Sequence, residues 1–270
     1  MAPKRPILRY HGGKWILAQW IISHFPAHRI YTECFGGGGS VLLRKPRSYS
    51  EVYNEKDGEI CNLFRVVRDH GDALRKSLEL TPFARTEFKD SYTPSADPLE
   101  QARRTMVRSF MGFGSASASG ANTGFRANSN RSGTTPAHDW ANYPECLPAL
   151  IERLRGVVIE NREASEVMMQ HDSAETLHYI DPPYVLETRG MKNIYCKKGY
   201  RFEMTDDQHR DLAAVVRTLK GAVVLSGYAC DLYDKTLYPD WHRVERAALA
   251  DGARERTEVL WINRQTQELF

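Results

Sequence analysis

Five short apolar runs, each stopping abruptly on a polar or glycine-rich segment, constrain this 270-residue chain most. They are Ile30–Phe35, Glu51–Asn54, Val157–Glu160, Leu177–Ile180 and Ala222–Ser226. Runs this short, rich in Val, Ile, Leu and Tyr, suit strands covered on both faces. Helical patterns alternate with them. Lys14 begins an amphipathic stretch carrying Leu17, Trp20 and Ile21, and Val41–Arg44 forms a short one. Another apolar stripe runs through Ile60, Leu63, Phe64 and Val67, with Asp57 placed to cap it. Thr205-x-x-Gln208 is a capping box opening a helix with Leu212, Val215, Val216 and Leu219, which Gly221 ends. Strand and helix in alternation imply an α/β chain with a mostly parallel, doubly wound sheet. Two last strands, near Trp241–Leu249 and Thr257–Asn263, flank Asp251-Gly252 and are expected to pair as a terminal antiparallel hairpin. That makes seven strands.

The second and third runs lie about a hundred residues apart, room for an inserted, mainly helical and loop region. We place it at residues 69–149, leaving 1–68 and 150–270 as a discontinuous sheet domain. Two or three helical segments reach Phe110, one opened by Asp97-Pro98 as cap and first-turn proline, with Leu99, Ala102, Met106 and Phe110 on its apolar face. An irregular stretch rich in Gly, Ser, Asn and Thr then runs from Gly112 to His138, followed by a helix around Pro144–Leu154. Between Gln101 and His138 stand Arg103, Arg104, Arg108, Arg126 and Arg131, with no Asp, Glu or Lys. Arginine neutralises phosphates and reads guanine edges, and asparagine reads adenine. These arginines, with Phe125, Asn128 and Asn130, are therefore the expected contacts to DNA.

Overall charge adds little, since the net value is only +3. Hydrophobic and charged contents of 41% and 26% are those of an ordinary globular protein. The cysteines at 34, 61, 146, 196 and 230 are scattered, with no C-x-x-C pair, which argues against a zinc site or disulfide framework. No apolar stretch approaches the ~20 residues of a membrane span. The expectation is a soluble, cytoplasmic protein without metal or membrane association.

Chemistry concentrates at the ends of the runs. The first passes straight into Gly36-Gly37-Gly38-Gly39-Ser40, giving acidic-x-Phe-x-Gly-x-Gly over Glu33, Phe35, Gly37 and Gly39. The Lys-Ser/Thr of a P-loop is missing, and so is the last glycine of a dinucleotide fingerprint. The second run ends at Glu55-Lys56-Asp57, an acidic position suited to ribose hydroxyls. The fourth ends at Asp181-Pro182-Pro183-Tyr184. Two prolines cannot continue a hydrogen-bonded ladder, and the second restricts the first to an extended conformation. A carboxylate, a constrained carbonyl and an aromatic ring are thus presented together, as a flat amine-bearing substrate requires. His178, within the run, reads as a core residue.

Together these segments resemble the Dam-type DNA adenine-N6 methyltransferases. The resemblance spans Tyr10-His11-Gly12-Gly13-Lys14, the Glu33–Gly39 loop, Asn54–Asp57 and Asp181–Tyr184, then Val224–Tyr228 and Arg256–Asn263. It implies a Rossmann-like methyltransferase sheet using S-adenosylmethionine, with S-adenosylhomocysteine as product and no metal. Tyr10 and Lys14 would enclose the cofactor, Glu33 and Phe35–Ser40 hold its methionine end, Glu55 take the ribose and Glu163 the adenine amine. Asp181, Pro182, Pro183 and Tyr184 would be catalytic, with Asp181 also bordering the cofactor. Glu55 and Glu163 stand where the family commonly has Asp. The implied substrate is a flipped-out adenine in double-stranded DNA, the enzyme a cytoplasmic monomer of bacterial or phage origin, solitary or in a restriction–modification pair. RNA or protein-amide methylation is the competing chemistry, although Asn usually replaces Asp181 there. Cytosine-N4 methylation typically has Ser at that position, and an inert DNA-binding protein on this fold is the remaining alternative.

Overall fold

A computed structural model describes residues 2–128, 130, 133–189, 199–250 and 254–264. The chain divides into two compact units. The first, made of Ile16–Gly36, Lys45–Lys56 and Gly156–Phe270, contains the whole sheet. Its strands are β1 (Ile30–Glu33), β2 (Ser50–Asn54), β3 (Val157–Glu160), β4 (Thr176–Ile180), β5 (Ala222–Tyr228), β6 (His242–Ala250) and β7 (Arg254–Ile262). They lie in the order β3-β2-β1-β4-β5-β7-β6. The first five are parallel, and β7 runs antiparallel to both β5 and β6. This is the expected mixed α/β sheet; the Asp251-Gly252 turn lies outside the described residues.

All five residues of β4 are buried, as a central parallel strand requires. Helices α1 (Ala18–Ile22), α8 (Ala164–Gln170) and α9 (Asp206–Val216) belong to this unit. Val167 and Met168 of α8 and Leu212, Ala213 and Val216 of α9 share one core with Val52, Ile180, Val223, Leu225 and Trp261. The Thr205–Gln208 capping box forms in both directions. The helix stops at Val216, before Gly221, which serves another purpose. A Cβ at Gly221 would stand 2.6 Å from the Thr176 carbonyl oxygen, and its N–H donates to Asp172. His178 is fully buried between Thr32 (2.8 Å) and Asp172 (3.2 Å), a core residue as expected. Helix α1 is shorter than the pattern from Lys14 suggested, starting only at Ala18 and without a side-chain cap at Leu17.

The second unit comprises Met1–Trp15, Gly37–Arg44 and Asp57–Arg155. It is helical: α2 (Ser40–Arg44), α3 (Gly58–Leu80), α4 (Arg85–Asp90), α5 (Pro98–Met111), α6 (Pro136–Asn142) and α7 (Leu147–Leu154). Asp57 caps α3 and Asp97 caps α5, each through a side-chain oxygen. Gly71 permits close contact of α3 with α7, since a Cβ there would meet Ile151 Cγ1 at 2.4 Å. The stretch expected to be irregular is less so: Gly112 bridges Phe125, a 3-10 turn forms at Ala116–Ser119, and α6 starts at Pro136 under a Thr135 cap.

Candidate active site

The strand order fixes where a site can form. From β1 the chain steps outward through β2 to β3, and from β4 it steps the other way to β5. β1 and β4 are neighbours in register, Glu33 beside Tyr179, so the sheet changes direction between them. Ligands of such sheets bind beyond the carboxyl ends of the strands at that point. Glu33-Cys34-Phe35 and Asp181-Pro182-Pro183-Tyr184 leave the sheet there.

Asp181 is half-buried, and its Oδ1 accepts a hydrogen bond from Ser226 Oγ at 2.8 Å. Ser226 sits fully buried on β5, with Tyr179 Oη 3.1 Å away. The carboxylate direction is therefore set by the adjacent strand. Pro182 is buried and Pro183 half-buried. Tyr184 is buried too, its hydroxyl donating to the Glu258 carboxylate. Its ring meets Tyr228 edge to face, centroids 4.7 Å apart. Glu258 lies on β7 directly opposite Tyr228 and is itself buried. Burial, then the charges of Asp181 and Glu258, hold the Tyr184 phenol well above its ordinary pKa, so it stays a neutral donor.

Around β1, β2 and β3 the strand ends are tied together. Glu33 is buried and accepts from Tyr31 Oη at 2.7 Å. Asn54, at the end of β2, donates to the Cys34 carbonyl (2.9 Å) and the Arg162 carbonyl (3.1 Å), and accepts from Arg162 N–H (2.9 Å). One side chain thus locks the loops after three adjacent strands. Gly36 donates to the Asn54 carbonyl at 2.9 Å, and a Cβ there would lie 2.2 Å from the Tyr53 ring. Only glycine fits. The Glu55 backbone carbonyl accepts from Asn161 Nδ2 (2.6 Å). Glu163 precedes α8, with its carboxylate 2.6 Å from Lys56 Nζ and both side chains exposed. Phe35 packs against the sheet core.

Within the helical unit, Tyr10 lies over the rest of the glycine run. Gly37 has φ +47°, and a Cβ on it would come within 2.8 Å of the Tyr10 ring; Gly38 would meet Tyr10 Cβ at 3.3 Å. Lys14 is buried and donates to the Gly12 carbonyl. Gly39 is left-handed (φ +60°) and its carbonyl accepts from Leu43, while Ser40 is buried at the start of α2.

The arginines expected at DNA divide. Arg103 pairs with Glu87 and Glu100, Arg104 with Glu100, and Arg108 is buried against Glu59. These acids stand outside the acid-free stretch in sequence yet neutralise its charge in space. The Arg103 and Arg104 contacts hold the Glu100 carboxyl down at about 2. Phe125 packs against Phe83 and Phe88 under the Arg85 guanidinium. Arg126 donates to the Phe110 carbonyl, and with Phe113, Phe125, Ala127, Asn128 and Pro136 it lines an open cleft. Phe113 is 73% exposed. Asn128 and Asn130 are exposed, and Arg131 lies outside the described residues.

Ser226, Glu258 and Asn54 escaped the sequence reading as site residues. Glu258 carries a signal, a carboxylate beginning the apolar run Val259–Ile262. Among the described residues no three His, Cys, Asp or Glu side chains converge as a metal site requires, and no helix is long and apolar enough to cross a membrane. Compared with known proteins, residues 10–248 match a family model described as D12 class N6 adenine-specific DNA methyltransferase. A search of curated proteins finds no significant match.

Proposed function

Because the chain belongs to the D12 class N6 adenine-specific DNA methyltransferase family, we propose that the Asp181–Tyr184 turn methylates N6 of an adenine flipped out of double-stranded DNA, with S-adenosylmethionine as donor. The enzyme is an adenine-specific DNA methyltransferase; donor, base extrusion and residue roles are our reading. The observation that carries it is Asp181 held by Ser226 at the β1–β4 switch point, beside a ring tethered through Glu258.

The donor set suits the cofactor. Glu33 is a buried carboxylate for an ammonium group, and Glu55 an acid at the next strand end for a ribose diol. Gly36 and Gly37 keep clear the space that a Cβ would fill. Tyr10, Lys14, Phe35, Gly38, Gly39 and Ser40 complete the proposed contacts, and Glu163 would exchange Lys56 for the adenine amine of the cofactor. When bound, S-adenosylmethionine supplies a methyl group on a positively charged sulfur. All other work falls to the protein.

The N6 lone pair of adenine is delocalised into the ring, so the amine is a poor nucleophile. The Asp181 carboxylate and Pro182 carbonyl each accept one N6 hydrogen, which draws the nitrogen toward sp³ and stabilises its developing positive charge. Pro183 restrains the carbonyl direction. Holding the amine in line with the methyl group adds the proximity contribution. Asp181 then takes the proton. Tyr184 stacks on the extruded base, worth ~1–3 kcal/mol against the few kcal/mol that extrusion costs. Residues 69–149 are the proposed target-recognition region, with Arg126, Asn128 and Phe125 the leading DNA contacts. The enzyme acts on its DNA as a cytoplasmic monomer.

Labelled S-adenosylmethionine incubated with unmethylated duplex DNA tests this, followed by digestion and nucleoside identification. The expected product is N6-methyladenine, lost in Asp181→Ala. Label recovered only in cytosine, RNA or protein overturns the reading.

A further inference from the structure

Tyr184 is gripped at a second point that the mechanism above does not use. Arg189 Nε donates to the Tyr184 carbonyl at 3.0 Å. The rest of that guanidinium faces Glu203: Nη1 lies 3.2 Å from Oε1, and Nη2 contacts Oε2 more closely. Both side chains are almost wholly removed from solvent, at 9% and 4% exposure. Glu203 Oε1 also accepts from the Tyr200 N–H at 2.8 Å, and the Tyr200 ring centre is 5.5 Å from the guanidinium. Gly199 makes room for this arrangement, since a Cβ there would fall 1.9 Å from Glu203 Oε1.

A buried bidentate pair is an expensive way to hold two segments together, and apolar residues of like volume commonly do as well. What an apolar pair cannot do is donate to a carbonyl in a fixed direction. Arginine's planar fork spends two edges on Glu203 and keeps Nε for the catalytic turn. Lysine, a point charge, cannot serve both. Tyr184 is thereby held at its hydroxyl by Glu258 and at its carbonyl by Arg189. Fixing the Tyr184 backbone in this way constrains Pro183, bonded to the Tyr184 nitrogen, and one residue further back Pro182, whose own carbonyl direction matters to the amine.

We propose that Arg189 and Glu203 form a positioning pair for methyl transfer, orienting the Asp181–Tyr184 turn through the Tyr184 carbonyl. This rests on the adenine-N6 reading of that turn. The prediction separates orientation from mere support. Arg189→Met alone leaves Glu203 buried without its counter-charge, lowering both melting temperature and rate. Arg189→Met/Glu203→Leu removes the charge imbalance and recovers the melting temperature, while the single-turnover methyl-transfer rate stays about 100-fold below wild type, as a misplaced reacting group entails. Arg189→Lys keeps the charge and recovers little of the rate. Affinities for S-adenosylhomocysteine and for duplex DNA remain within about twofold in the double variant, because a group acting through orientation alters kcat rather than ground-state binding. A double variant with wild-type kcat overturns the inference, as does a rate loss that merely tracks weakened binding. If the wild-type enzyme leaves adenine unmodified, the functional reading itself falls and this inference falls with it. An active wild type with an equally active double variant refutes the positioning pair alone.

Discussion

Replacing Asn54 by Ala removes two donated bonds, to the Cys34 and Arg162 carbonyls, and one accepted from the Arg162 N–H. The side chain is 1% exposed, so water does not take its place. A net hydrogen bond is worth about 1 kcal/mol, and buried partners left unsatisfied cost about 1–3 kcal/mol each. Three such losses come to roughly 3–5 kcal/mol. For a chain of this size each kcal/mol shifts the melting temperature by about 2–4 °C, so a drop of roughly 6–20 °C is expected. A native stability of about 10 kcal/mol, the middle of the usual range, leaves the variant folded at room temperature. The same bonds set the loops that carry Cys34, Glu55 and Arg162-Glu163, so affinity for S-adenosylhomocysteine should weaken at least about tenfold, equivalent to about 1.4 kcal/mol. Asn54→Asp provides no rescue: it keeps the acceptor but turns a carboxylate against two carbonyls. Thermal melting and isothermal titration calorimetry read both effects. A variant melting within ~2 °C of wild type refutes the energetic argument. Lower melting with unchanged affinity refutes the link from lock to cofactor.

His209 is fully buried with Nδ1 2.9 Å from Tyr233 Oη, and burial pushes its pKa from 6.5 down to about 4, with Asp206 opposing. The unfolded chain therefore takes up this proton first. Its stabilising contribution is complete above about pH 6.5 and fades as pH falls toward 4, by roughly 3 kcal/mol at most; denaturant midpoints of wild type and His209→Asn at pH 7 and 4.5 should converge at the lower pH. Tyr184→Phe keeps the stacking ring but removes the hydroxyl that donates to the buried Glu258 carboxylate, so melting temperature should fall by the equivalent of about 1–3 kcal/mol. Turnover should suffer far more in Tyr184→Ala, which loses the ring, and equal losses in the two variants would contradict a stacking role. Arg126→Ala should weaken duplex binding and reduce its salt dependence by about one ion, with S-adenosylhomocysteine affinity unchanged. Arg108→Ala, which removes a buried guanidinium paired with Glu59, should instead show its effect in the melting temperature.

Much of the architecture was legible because its causes are local. Apolar runs such as Leu177–Ile180 must be buried strands, Asp57 and Asp97 cap the helices they precede, and Thr205–Gln208 closes its box. The glycine loop was legible as a loop, but the reason for Gly36 was not, because the Tyr53 ring approaches from a neighbouring strand. Ser226, Glu258 and Arg189 act on the Asp181–Tyr184 turn through contacts that no spacing rule encodes. The arginine-rich stretch shows the converse limit. Counting charge along Gln101–His138 omits Glu59, Glu87 and Glu100, which folding brings to Arg103, Arg104 and Arg108.

In the proposed mechanism Asp181 polarises the amine in the transition state and adds little to ground-state binding. Asp181→Asn retains the shape and the hydrogen-bonding oxygen near Ser226 while removing the charge. Single-turnover methyl transfer to duplex DNA should slow by about 10²–10³-fold, the scale of losing one electrostatic stabiliser, with affinities for S-adenosylhomocysteine and DNA nearly unchanged. A variant that methylates adenine at the wild-type rate rules out an electrostatic role for Asp181.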